Sequence, residues 1–202
     1  MRRFITSSLA IFLLLALAAC GSSTPTQAEN TIGFAKLTAE QQEIMDLLSV
    51  PNTSELLIFD YEAKEGLSNM EVWVEIYQNG ALVERPATIG TLADKAIARS
   101  GRIAIIIQQN PKYQWTLSVV ENGGRSSYIG TADTAINAAV YGRAYGPLEE
   151  AGSLEDGKEI ILYRSLFSSG GINAYDCKTL QDNPDLLKEY DYAHIIKCKF
   201  TK

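Results

Sequence analysis

Hydrophobic and polar positions along this chain change period several times, and each change marks an element. An almost purely apolar run from Ile5 to Ala19 opens the sequence. Further on, Thr38 and Gln41 form a capping-box pair, and Ile44, Leu47 and Leu48 follow at helical spacing until Pro51. That pattern predicts one helix at the start of the folded region. From Leu56 the period falls to two. Met70–Gln78 alternates Val72, Val74 and Ile76 with Trp73, Glu75 and Tyr77, and Asn79-Gly80 then predicts a tight turn. Such a turn needs two residues at positive φ, which Asn and Gly tolerate best. The return strand, Leu82 to Thr88, carries Pro86 and so reads as a sheet edge.

Ile103–Ile107 is apolar on both faces and predicts a central strand, while Trp115, Leu117 and Val119 alternate with polar neighbours. Asn122-Gly123-Gly124 turns that strand into Arg125–Gly130. Lys158–Phe167 and Tyr192–Phe200 read as the last strands, with a short helix beginning at Asn183-Pro184 before the final one. Thr131–Leu148 is ambiguous: its alanines allow a helix, whereas Val140, Tyr141 and Tyr145 allow strands. The expected fold is mainly β, an antiparallel β-sandwich-like domain with one N-terminal helix and one short helix before the last strand. No internal repeat of useful length is present.

The opening apolar run is too short to span a bilayer, which takes about 20 residues. Arg2 and Arg3 before it and small residues after it make residues 1–19 a cleaved signal peptide. Leu17-Ala18-Ala19-Cys20 resembles the lipobox of bacterial lipoproteins, in which the cysteine is acylated and becomes the first residue of the mature chain. The resemblance implies a lipid (palmitate-type) anchor on Cys20. Residues 20–30, rich in Ser, Thr, Gly and Pro, then read as a flexible tether, with residues 31–202 as one β-rich extracytoplasmic domain. The location implied is the outer surface of the cell membrane, or the outer membrane in an organism that has one.

Removing Arg2 and Arg3 takes the formal charge from −6 to −8. An acidic surface disfavours nucleic acid as a partner. With Cys20 committed to lipid, Cys177 and Cys198 remain, and an extracytoplasmic pair predicts a disulfide worth about 3 kcal/mol. Two cysteines and the single His194 are too few for a zinc site, so neither a metal nor a cofactor is expected.

Trp73-Val74-Glu75-Ile76-Tyr77-Gln78-Asn79-Gly80 resembles the W-x-E-x-Y-x-N-G hairpin of small lipoproteins from Gram-positive bacteria. The likeness runs roughly from Leu56 to Gly130 and takes in the Val120–Tyr128 hairpin. It implies a lipid anchor and a β-rich domain, and no particular role.

No catalytic constellation stands out. His194 shares parity with Tyr192, Ile196, Cys198 and Phe200, an inward face, and reads as a packed histidine. Scattered acids such as Asp60, Glu62, Glu65 and Glu75 leave a carboxylate-based, glycan-directed hydrolase as the alternative. Trp73, Glu75 and Tyr77 share the face opposite the aliphatic one. They form either a ligand platform or packing beneath a second layer. The leading expectation is a non-catalytic binding or structural envelope component. Its partners are the membrane, through Cys20, and a glycan or another envelope protein.

Overall fold

The computed structural model describes residues 30–41, 43, 54–64, 66–92, 99–109, 112–121, 123–134, 136 and 140–202. Signal peptide, Cys20, nearly all of the tether and the Ile44–Leu48 stripe lie outside them. The capping box is formed: Thr38 N–H donates to Gln41 Oε1 at 3.0 Å and Gln41 N–H to Thr38 Oγ1 at 3.2 Å. Asn30, assigned by sequence to the tether, is pinned instead. Its side chain accepts from Lys64 N–H at 2.8 Å, and its carbonyl from Leu154 N–H at 2.7 Å.

The described chain is mainly β, in two antiparallel sheets. The strands are β1 (Thr31–Phe34), β2 (Ser54–Ala63), β3 (Asn69–Gln78), β4 (Ala81–Leu92), β5 (Arg99–Gln109), β6 (Tyr113–Glu121), β7 (Gly124–Thr131), β8 (Gly142–Pro147), β9 (Gly152–Ser153), β10 (Glu159–Ser168) and β11 (Tyr192–Thr201). The first sheet runs β7-β6-β5-β2-β1-β9 and the second β4-β3-β11-β10-β8. Alternation sorts the side chains. Leu57, Phe59, Ile103, Ile105, Trp115 and Leu117 of the first sheet share one buried core with Val72, Val74, Ile76, Ile196 and Phe200 of the second. β-branched residues at these positions suit a pleated surface buried on one side.

The Asn79-Gly80 turn has φ of 49° and 78°, the positive values the sequence called for. Pro86 does lie in an edge strand, because β4 ends the second sheet. There β4 meets β7, the edge of the first sheet: a Cβ on Gly130 would stand 2.1 Å from the Pro86 carbonyl oxygen. That close approach explains glycine at position 130. The ambiguous segment contains β8, paired to β10.

Two points differ from the sequence-based expectation. A strand, β1, precedes the first helical turn; four residues are too few to show a period. The helix before the last strand is two elements, α1 (Cys177–Asp182) and a 3-10 helix over Pro184–Glu189. Asp176 caps α1 by accepting from Thr179 N–H at 2.6 Å. Both elements lie on the outer face of the second sheet. A bulge in β10 between Ile161 and Tyr163 frees the Ile161 N–H, which Gln181 of α1 accepts at 3.0 Å.

The expected Cys177–Cys198 disulfide is absent, and both thiols are free and buried. Parity gives the reason. Cys198 pairs in register with inward-facing Val72, whereas Cys177 opens α1, with its sulfur 3.9 Å from the Gly146 carbonyl. The second sheet lies between them. Burial pushes both thiols above their usual pKa, Cys177 to about 12 with Glu149 adding to the effect.

Candidate functional site

Trp73, Glu75 and Tyr77 do share the outer face of β3, but they form no exposed platform. Trp73 is 2% exposed and Glu75 3%, with only Tyr77 half-buried. Glu75 is the hub. Its Oε1 accepts from the Trp73 indole N–H at 2.9 Å and from Arg85 at 2.6 Å. Its Oε2 accepts from Tyr77 OH at 2.7 Å and pairs with Lys197 Nζ at 2.9 Å. Arg85 and Lys199 lie against the Trp73 ring, 5.4 and 5.7 Å from its centroid. The motif spacing thus makes an ion cluster around a buried carboxylate: an i, i+2, i+4 row on one strand, completed by cations from β4 and β11. Burial raises the carboxyl pKa. The donations from Tyr77, Lys197 and Trp73 together outweigh it and bring Glu75 down to about 2. Tyr77, buried and bonded to that anion, rises to about 12.

Beside this cluster, Tyr77, Lys197 and Glu159 edge a cavity of about 170 Å³, floored by Ile161 and Ile195 and roofed by Leu180 and Leu187. That roof is the second layer over the outer face.

A different polar cluster lies between the sheets, at the end where β2 and β6 begin. Glu55 of the first sheet accepts from Arg143 Nη2 and from Tyr163 OH, each at 2.6 Å. Arg143 Nη2 also reaches Tyr163 OH at 2.9 Å, and its Nε donates to Ser165 Oγ at 2.7 Å. The guanidinium is stacked on Tyr145, 4.3 Å from the ring centroid. Arg143 and Glu55 each remain about a quarter exposed, at 24% and 25%. Behind them His194 is 1% exposed, with the rings of Tyr113, Trp115 and Phe167 at 4.5, 5.2 and 5.1 Å. Burial, with Arg143 adding to it, lowers the imidazole pKa to about 3, so His194 is neutral. Tyr113 OH, Trp115 Nε1 and His194 Nε2 are all buried and have no hydrogen-bond partner among the described residues.

Sequence reading placed His194 and Trp115 inward and missed the cluster they join. Its members come from β2, β6, β8, β10 and β11, so no local spacing carries it. The opposite end of the core holds a matching strut. Arg99 bonds Glu121 twice, at 2.5 and 2.6 Å, and crosses to Ser68 O and Thr91 Oγ1 beside the second sheet. Unlike the His194 nest, Arg99 has its donors engaged.

A cleft of about 380 Å³ between Leu148–Ser153 and α1 is lined by Glu149, Glu150, Asp176 and Asp182 together with Lys158 and Lys178. Among the described residues, no group of three or more His, Cys, Asp or Glu is placed to hold a metal ion. No described helix is long and apolar enough to cross a membrane. Compared with known proteins, residues 31–200 match the YgaN domain. No curated protein and no solved structure matches the chain.

Proposed function

This chain belongs to the YgaN domain family, and from that premise we propose that it is a lipid-anchored extracytoplasmic domain that works by binding rather than by catalysis. We read its two facing sheets as a β-sandwich carried on a tether from Cys20. The apolar run, the Leu17–Cys20 lipobox and the Ser/Thr/Gly-rich stretch after it support the anchor. Acylation at Cys20 would hold the domain at the membrane surface, and more than one chain would make the attachment stable. The partner class is a glycan or another envelope protein.

The observation that carries the non-catalytic reading is the state of Glu75. A glycoside hydrolase needs two carboxyls open to the substrate, one as acid and one as nucleophile or base. Glu75 is 3% exposed, and both its oxygens are engaged by Trp73, Tyr77, Arg85 and Lys197.

Two experiments test the reading. Cells fed labelled fatty acid incorporate label into the wild-type chain, and Cys20→Ser loses both label and membrane retention. A processed, membrane-retained Cys20→Ser protein would contradict the anchor. The purified chain releases no new reducing ends from envelope glycans; release that disappears in Glu75→Gln would reinstate a hydrolase.

A further inference from the structure

The nest around His194 has a chemical asymmetry. Its outer members satisfy one another: Glu55 with Arg143 and Tyr163, and Arg143 with Ser165. Its inner members do not. An indole N–H, a phenol OH and an imidazole nitrogen, on rings whose centroids lie 4.5 to 5.9 Å apart, have no hydrogen-bond partner among the described residues. A buried polar atom without a partner costs about 1–3 kcal/mol, and native folds keep few of them. Three on neighbouring rings mark a place suited to a polar guest.

The residues also define the guest's charge. His194 is neutral, and the Arg143 charge is matched by Glu55. An ionised group would meet no net opposite charge in this nest, so a neutral guest is favoured. The Trp115 N–H requires an acceptor, whereas Tyr113 OH and His194 Nε2 accept or donate according to rotamer and tautomer. A hydroxyl meets all three demands, since it donates one hydrogen and accepts two. Outside the nest, Tyr145 is 57% exposed, with its ring already stacked on Arg143. An exposed aromatic face beside a planar Arg–Glu pair suits a ring bearing several hydroxyls.

We propose that this end of the core is a binding site for a neutral saccharide unit, which passes a hydroxyl over the Arg143–Glu55 rim toward Tyr113, Trp115 and His194 and rests against Tyr145. The inference rests on the reading of this chain as an extracytoplasmic binding domain, and gives that domain its site and ligand class.

Trp73 and Trp115 are the only tryptophans, so Trp73→Phe leaves Trp115 as sole reporter. The full chain with Trp73→Phe is titrated with chitotriose, with maltotriose and, as a simple polyol, with glycerol. At least one of the two trisaccharides is expected to give a saturable change in Trp115 emission, and glycerol none at the same concentration. Calorimetric titration of the unaltered chain reads the same binding should Trp73→Phe fold poorly. Tyr113→Phe removes one oxygen and keeps the ring; affinity falls about tenfold, as for one lost hydrogen bond, while the melting temperature does not fall. Absence of saturable binding by either method, equal binding of glycerol, or unchanged affinity in Tyr113→Phe would overturn the proposal. Labelling at Cys20 is scored separately, so a failed titration on a lipid-labelled chain removes the saccharide site and leaves the anchored domain standing.

Discussion

Glu75 and His194 stand one step apart in the ladder between β3 and β11, where Glu75 pairs with Ile195 and Ile76 with His194. They face opposite sides of the same sheet. Outward, a carboxylate collects four partners, and the aromatic side chains around it serve as donors and cover. Inward, an imidazole is ringed by aromatics, and three polar atoms have no partner among the described residues. Both sites are rich in aromatic rings, and strand β11 contributes to each. The difference is satisfaction: the outer cluster is complete without a ligand, and the inner one is not. A conspicuous motif can therefore be structural, while the unfinished chemistry lies where no motif points.

The comparison breaks first at Trp73. If the outer cluster is structural, Trp73→Ala empties a buried site and costs roughly 3–5 kcal/mol, measured by denaturant unfolding. A loss below about 1 kcal/mol would mark a surface residue and return the platform to consideration.

Acid separates the two sides next. The folded His194 pKa, about 3, lies below its ordinary 6.5. The unfolded chain therefore takes up a proton that the folded chain refuses, and stability falls as pH drops from 6.5 toward 3. Glu75, at about 2 against an ordinary 4.5, loses its contribution only as pH drops from 4.5 toward 2. Of these two groups, His194 alone acts between pH 6.5 and 4.5, at a cost of about 2–3 kcal/mol. Chemical unfolding across that window should show this slope in the wild type and a shallower one in His194→Phe. An unchanged slope would mean that His194 is not held neutral.

The thiols give a smaller signal with a clear sign. Cys198 lies inside the core and Cys177 on the buried side of α1, so both should resist alkylation in the folded chain. Once unfolded, both should react without reductant. A requirement for reductant would restore the bridge.

Much of the fold was legible because its signals are local. The Asn79-Gly80 turn, the alternation of β3 and β6, the two-sided apolar run of β5 and Pro86 at an edge all rest on neighbouring residues. β1 was not, since four residues carry no period. The Cys177–Cys198 pairing failed because sequence places both residues near the last strand without giving the face on which Cys177 lies. For Trp73, Glu75 and Tyr77, parity gave the correct face. It said nothing of Arg85, Lys197, Lys199 or the α1 layer, which turn that face into an interior. The His194 nest was the least legible, because Glu55, Tyr113, Arg143, Tyr163 and His194 converge only when both sheets are assembled. Inward parity hid it further, since a packed histidine and a polar nest have the same alternation.

One pair of single-oxygen deletions tests the contrast most directly. Tyr77 OH donates to the buried Glu75 at 2.7 Å, whereas Tyr113 OH has no partner among the described residues. Changing either tyrosine to Phe keeps the ring and removes only the hydroxyl. Tyr77→Phe deletes a hydrogen bond to a charged group and should cost about 1.5–3 kcal/mol, whereas Tyr113→Phe relieves an unpaired polar atom and should leave stability unchanged or slightly raised. Thermal unfolding of the two variants beside the wild type gives the answer. A lowered midpoint for Tyr77→Phe alone is the predicted result; equal losses, or a loss confined to Tyr113→Phe, would contradict the account.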